Sequence, residues 1–153
     1  MRFEGEYRNG ERNGNGKEYN WNEELEFEGE YINGERNGKG KQYYNDGTLK
    51  FEGKYLNGKW NGNGYNNNKI IYSLKDGNGF IKEYYYSVTL EFEGEYLNGK
   101  RNGKVKEYYY NSKLEYEGKY LNGKKNKGKE FNKDGNLIFE GIFLNGKRWN
   151  KKN

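Results

Sequence analysis

The sequence predicts an all-β protein, in which β-hairpins stack into an elongated, single-layered, twisted antiparallel sheet. One pattern, seen clearly at residues 92–103, recurs along almost the whole chain. Each copy alternates aromatic or glycine residues with charged residues, which is the period of a strand, and then reaches an Asn-Gly pair of the kind that tolerates the positive φ of tight hairpins. Glycine also interrupts every stretch that would otherwise favour a long helix.

An aromatic residue opens each copy of the repeat. These residues are Phe3, Phe27, Phe51, Phe92, Tyr116 and Phe139, at intervals of 24, 24, 41, 24 and 23. The long interval hides another copy, because residues 72–79 align with residues 7–14 and place the start of that copy at Asn68. We therefore predict a single repeat domain over residues 1–153, with units that begin near residues 3, 27, 51, 68, 92 and 116 and a partial unit from 139.

The second unit shows how the pattern builds a hairpin. In residues 25–32, Phe27, Gly29 and Tyr31 share one face of the strand, and the glutamates between them share the other. A loop bounded by two Asn-Gly pairs leads to a return strand over residues 39–44. The aromatic and glycine face is predicted to hold the sheet together, because burial of an aromatic side chain contributes about 1.5–3 kcal/mol.

A symmetric loop sets the register of this hairpin. It pairs Tyr31 with Gly40 on the aromatic face, where a residue without a side chain leaves room for the ring, and Glu30 with Lys41 on the charged face. The equivalent structural residues of the fifth unit are Phe92, Gly94 and Tyr96. The sixth unit lacks one residue near 126–128, which predicts a tighter turn there.

Composition excludes several classes of chemistry. The chain has no Cys and no His, so it has no thiol or imidazole for catalysis, disulfide bonds or metal binding. The paired glutamates, such as Glu28 and Glu30, recur in unit after unit and are interpreted as structural residues, because a catalytic pair needs one distinctive environment. We predict that the protein is not an enzyme and has no catalytic, cofactor-binding or metal-binding residues.

The motif Tyr/Phe-Glu-Gly-x-Tyr/Trp followed by Asn-Gly-Lys-x-x-Gly-x-Gly resembles the MORN (membrane occupation and recognition nexus) repeat, in a divergent form rich in Asn-Gly and Lys-Glu-Tyr. The resemblance covers nearly the whole chain. It departs from the usual motif where Val105 and Lys127 replace Gly, and where Asn replaces a frequent His. Those asparagines are Asn13, Asn37, Asn61 and Asn102. The resemblance implies a solenoid of stacked hairpins.

These observations favour a non-enzymatic scaffold or structural assembly module that binds other proteins, with sheet edges that support a homo-oligomer. The first alternative is a peripheral binder of anionic phospholipid membranes, which the resemblance and the net charge of +5 both suggest. The second is a virion or cytoskeletal structural component, because the resemblance extends to repeats of large DNA viruses. Nucleic acid is disfavoured as a partner, since most tyrosines are committed to the sheet.

Met1 leads directly into the repeat, and no apolar run has the character of a signal peptide or a membrane span. We therefore expect a cytoplasmic protein, or a virion protein if the source is viral.

Two interaction regions are predicted near the C-terminus. Residues 100–153 hold 15 basic and 6 acidic residues, a net charge of +9, whereas residues 1–99 hold 13 and 17, a net charge of −4. The basic candidates are Lys124, Lys125, Lys127 and Lys129. The last half-unit is apolar on both faces and is expected to end in an edge that only Trp149 covers, which invites another chain. Its candidates are Ile142, Phe143, Leu144 and Trp149.

Overall fold

A computed structural model of the chain describes residues 2–56 and 59–149. In these ranges the protein contains fourteen strands and no helix, which confirms the all-β prediction. The strands follow one another as antiparallel hairpins and form two open sheets of seven strands each.

The first sheet contains β1 (Arg2–Arg8), β2 (Glu11–Tyr19), β3 (Leu25–Ile32), β4 (Glu35–Tyr43), β5 (Leu49–Leu56), β6 (Lys59–Asn66) and β7 (Lys69–Leu74). The second sheet contains β8 (Gly79–Tyr85), β9 (Thr89–Leu97), β10 (Lys100–Tyr108), β11 (Leu114–Leu121), β12 (Lys124–Phe131), β13 (Leu137–Leu144) and β14 (Lys147–Arg148). Each sheet lies in its own compact unit, residues 1–77 and 78–153.

The sequence predicted one continuous sheet, and the division into two falls in the fourth unit. In the second unit, Glu35 and Arg36 follow the turn and begin the return strand. The fourth unit has only Asn78 between Gly77 and Gly79, so it lacks an equivalent of these two residues. The ladder of the first sheet therefore stops at β7.

The hairpin turn is shorter than predicted. Asn33 and Gly34 form it alone, with φ values of 50° and 82°, which is the two-residue turn that Asn-Gly favours. Tyr31 consequently pairs with Arg36, a bulge follows, and Gly29 pairs with Gly40. The predicted pairings of Tyr31 with Gly40 and of Glu30 with Lys41 are therefore wrong: beyond the bulge, Gly40 pairs with Gly29 and Lys41 with Glu28, each two residues from the predicted partner. A shift of two leaves every side chain on its predicted face, because the pleat has a period of two.

The sixth unit corrects another expectation. Its turn is an ordinary Asn-Gly turn, with φ values of 51° at Asn122 and 84° at Gly123. The missing residue instead narrows the bulge, where only Asn126 lies between the paired residues Lys125 and Lys127. The predicted tighter turn is wrong.

Aromatic rings form the core of each sheet. Phe27, Tyr31, Phe51 and Tyr55 are buried in the first sheet, and successive rings meet edge to face, as Phe27 and Tyr55 do with ring centres 5.4 Å apart. The ring of Phe27 lies over Gly40, where an added Cβ would stand 2.5 Å from the Cζ atom of the ring. In the second sheet the buried residues include Ile81, Phe92, Val105, Tyr116 and Phe143.

Candidate functional site

The aromatic face of each sheet is covered by cations. The guanidinium carbon of Arg36 lies 4.1 Å from the ring centre of Phe27, and that of Arg101 lies 3.9 Å from the ring centre of Phe92. Each cation belongs to the return strand of the hairpin whose first strand carries the ring. Such cation–π contacts contribute about 0.5–2 kcal/mol, more as the site loses water.

Buried carboxylates join these cations into a network. Glu18 accepts hydrogen bonds from Arg12 and Arg36, which lie on neighbouring hairpins. Burial acts to raise the pKa of Glu18, but the two guanidinium groups outweigh it and hold the pKa below its ordinary value. The network on this face therefore ties successive repeats together.

The second sheet repeats the arrangement. Arg101 donates to Glu83 at 2.6 Å and to Glu107 at 2.8 Å, and Lys125 lies between Glu107 at 3.4 Å and Glu130 at 2.9 Å. Every one of these side chains is mostly withdrawn from solvent. The aromatic face is thus closed by its own ion pairs.

Sequence reasoning missed this network, although an internal signal was present. In the third unit Trp60 occupies the position that Arg36 and Arg101 hold elsewhere, and Gln42 stands where other units have Glu18 or Glu107. Where the cation is absent, the carboxylate next to it is replaced by a neutral amide, which indicates that the two positions form an ion pair in the other units.

Two tyrosine hydroxyl groups of the second sheet also contact the carboxylates of the network. Tyr120 donates to Glu107 at 2.7 Å, and Tyr96 donates to Glu83 at 3.4 Å. Burial, with the charge of Glu83, raises the pKa of Tyr96 to about 12, so this phenol stays protonated at neutral pH. It acts here as a hydrogen-bond donor.

The opposite face of the first sheet is an open groove of about 700 Å³. Acidic and basic residues alternate across its strands in register. From β1 to β5 this row, called the paired row of the first sheet, consists of Glu4, Lys17, Glu28, Lys41 and Glu52. Its closest ion pairs are Lys17 with Glu28 at 3.9 Å and Lys41 with Glu52 at 3.6 Å. The groove is accessible, and it is lined by charged residues and glycines together with Asn15.

The second sheet has a groove of about 840 Å³ on its corresponding face. Its own paired row consists of Lys82, Glu93, Lys106, Glu117, Lys129 and Glu140. Lys82 lies 3.7 Å from Glu93, and Lys129 lies 3.8 Å from Glu140. Across residues 2–56 and 59–149 no three His, Cys, Asp or Glu side chains are grouped so as to hold a metal ion.

The four lysines predicted as one basic patch lie in different surroundings. Lys124 is exposed beside a turn, and Lys127 is exposed in the groove of the second sheet. Lys129 belongs to the paired row, whereas Lys125 is a half-buried member of the ion network, with its Nζ atom 4.5 Å from the ring centre of Tyr116. Lys125 therefore has a structural environment that its three neighbours lack.

The four apolar candidates near the C-terminus are also separated. Phe143 packs into the core, whereas Ile142 on the groove face and Leu144 are about half exposed. The short strand β14 pairs with Phe143 and Leu144, and the Trp149 amide donates to the Ile142 carbonyl at 2.9 Å. The expectation that only Trp149 would cover this edge is corrected, because β14 covers its last residues.

The comparisons with known proteins agree with the fold. The MORN repeat family model matches residues 3–21, 27–49 and 92–112. A comparison with curated protein sequences finds no match. The MORN repeat is a non-enzymatic module that generally takes part in protein–protein or membrane interactions. In the described part of the chain, no helix is both long and apolar enough to cross a membrane.

Proposed function

We propose, from the MORN repeats that the chain contains, that this protein is a non-enzymatic scaffold whose grooves receive segments of other proteins. The observation that supports this most directly is the contrast between the two faces of each sheet. The aromatic face is closed by cations and carboxylates that are partly or fully buried, whereas the groove face is open and carries exposed charges. The groove face is the surface that a partner can reach.

The paired rows support a protein partner over a membrane. The paired row of the second sheet contains as many carboxylates as lysines. The paired row of the first sheet contains one more carboxylate than lysine. An anionic lipid surface laid over the groove of the first sheet would face this excess of carboxylates, and like charges repel at short range. A polypeptide can present both charge signs.

The proposal includes a cytoplasmic site of action and assembly with further copies through sheet edges. On β13, the exposed apolar side chains of Leu137, Ile138 and Ile142 favour the edge of the second sheet for this contact. A virion or cytoskeletal role would use the same grooves and edges.

Photo-crosslinking in an extract of the source cell tests this proposal. p-Benzoylphenylalanine is placed in the grooves at Lys17 or Lys106, and at the exposed turn residues Asn22 or Lys133 as matched controls. We expect a defined protein crosslinked at the groove positions and not at the turns. Identical crosslinks at turns and grooves would refute a groove-specific partner.

Sedimentation with vesicles of phosphatidylcholine and phosphatidylserine distinguishes the scaffold from the alternative, a binder of anionic membranes. Vesicle binding that groove substitutions abolish, without a protein crosslinked in either groove, would replace the scaffold proposal with the membrane one.

A further inference from the structure

Three lysines stand side by side in the groove of the second sheet. Lys104 on β10 is opposite Lys119 on β11, which is opposite Lys127 on β12. We call these three residues the lysine row. All three side chains are exposed. The ion pairs that the described residues form in this groove lie in the paired row, as between Lys129 and Glu140, and leave the lysine row without one.

Folding does not explain the lysine row. Like charges directly opposite each other on neighbouring strands destabilise a sheet. In the first sheet the corresponding row holds two glutamates and two lysines, although Lys39 lies opposite Lys54, and its Glu6 carboxylate accepts from the Asn15 amide at 3.0 Å. That row consists of Glu6, Asn15, Glu30, Lys39, Lys54 and Asn61. Of the two grooves, only the groove of the second sheet therefore has an excess of positive charge along this row.

Apolar side chains stand at both ends of the lysine row. Along the same line, Ile142 on β13 is opposite Lys127. At the other end Glu95 on β9 accepts from the Lys104 amide at 3.4 Å, and Phe80 on β8 is opposite Glu95. Phe80 is 52% exposed and Ile142 is 45% exposed, so both side chains are available for contact.

The length of this line matches a short extended peptide. Five strand spacings separate β8 from β13 in the order of the sheet. At about 4.8 Å each they span roughly 24 Å, and an extended chain of about seven residues, at about 3.4 Å per residue, covers the same distance. Alternate side chains of such a peptide point into the groove, two residues apart.

We propose that the groove of the second sheet binds an extended acidic segment of a partner protein, with carboxylates over the lysine row and apolar residues at Phe80 and Ile142. This inference rests on the proposed function and names the chemistry of the partner. Charge complementarity selects the carboxylates, and the apolar ends fix the length and position of the segment.

The paired row distinguishes a peptide from a broader polyanion. Glu93, Glu117 and Glu140 lie two residues along the strands from the line of the lysine row and line the same groove. A membrane surface or a nucleic acid backbone wide enough to cover both lines would meet these carboxylates. A single extended peptide follows the lysine row and leaves them in water.

A fluorescent peptide, acetyl-Leu-Ser-Glu-Ser-Glu-Ser-Leu-amide, tests the proposal with the full-length protein. Its glutamates and leucines face the groove and its serines face solvent. We expect the dissociation constant measured by fluorescence anisotropy to rise at least about fivefold when both glutamates become glutamines, and to rise with added salt. Because this comparison uses the unaltered protein, it does not depend on the folding of a variant.

A protein variant and its control locate the site. The triple variant Lys104→Gln, Lys119→Gln and Lys127→Gln should weaken binding of the glutamate peptide to a similar extent. The control variant Lys124→Gln, Lys133→Gln and Lys147→Gln loses the same charge at exposed positions outside the lysine row and should bind normally. Circular dichroism checks that both variants keep the sheet.

Equal binding of the two peptides, or equal weakening by the two variants, would overturn the proposal. So would binding of phosphatidylserine vesicles or single-stranded oligonucleotide that depends on the lysine row when the acidic peptide fails to bind. A groove crosslink to a protein partner together with failure of the acidic peptide refutes this inference and leaves the scaffold proposal standing.

Discussion

Replacement of Arg36 by methionine tests the ion network that joins the repeats of the first sheet. The guanidinium carbon of Arg36 lies 4.1 Å from the ring centre of Phe27, and the group pairs with the buried carboxylate of Glu18. Methionine keeps an apolar chain over the ring and removes the charge. Glu18 then retains Arg12 as its remaining cation.

The expected loss follows from the burial of this pair. Removing one partner of a fully buried pair costs about 3–5 kcal/mol, because the other charge stays desolvated. The Arg36 side chain is 24% exposed and Arg12 still neutralises Glu18. We therefore expect a smaller loss of about 2 kcal/mol in the free energy of unfolding, with about 0.5–1 kcal/mol more from the lost cation–π contact.

Urea unfolding followed by circular dichroism measures this loss. The control is Arg8→Met, which removes the same charge from an exposed position on β1 and should change the free energy of unfolding by less than about 0.5 kcal/mol. Adding Glu18→Gln to Arg36→Met should recover part of the loss, since it removes the under-compensated charge. Equal effects of Arg36→Met and Arg8→Met would refute a stabilising role for the network.

Three further predictions concern pH, packing and assembly. The pKa of Glu18 in the folded state lies below its ordinary value of 4.5, so its contribution to stability is present above that pH and is lost as the pH falls through the folded pKa. We therefore expect the thermal midpoint to decrease below about pH 4.5, and the decrease to be smaller in Glu18→Gln. The same pH dependence in the variant and the wild type would contradict this. Gly40→Ala places a Cβ 2.5 Å from the Cζ atom of buried Phe27, so the free energy of unfolding should fall by about 1–3 kcal/mol, and a variant as stable as wild type would show that the ring does not depend on this glycine. Ile142→Lys should shift the protein towards monomer in analytical ultracentrifugation, because it places a charge at a half-exposed apolar position on β13; a monomer before and after the change would rule out self-association there.

The face of the strand on which each side chain lies was predictable from the sequence. Which residues lie opposite each other on neighbouring strands was less predictable. Alternation placed Phe27 and Tyr31 in the core and Glu30 on the groove face, as the structure has them. The register depended on how many residues the Asn33-Gly34 turn uses, and a bulge after it could not be read from alternation.

The candidate site was harder to predict than the fold, because a charge is free or paired according to the register. Lys125 and Lys127 are two residues apart in a basic stretch, yet Lys125 belongs to a half-buried ion network and Lys127 to an exposed row. The narrow bulge at Asn126 turns them to opposite faces of β12.

The sequence by itself determined the repeat, the strand faces and the positions of the Asn-Gly turns, because these depend on the period of the pleat and on backbone preferences within a few residues. The tertiary structure decided three other properties: the register of the hairpins, the end of the first sheet in the fourth unit, and the alignment of Lys104, Lys119 and Lys127. The first and the third of these are set by which residues of neighbouring strands lie opposite each other. Such pairings depend on the summed geometry of turns and bulges between them, which no local pattern records.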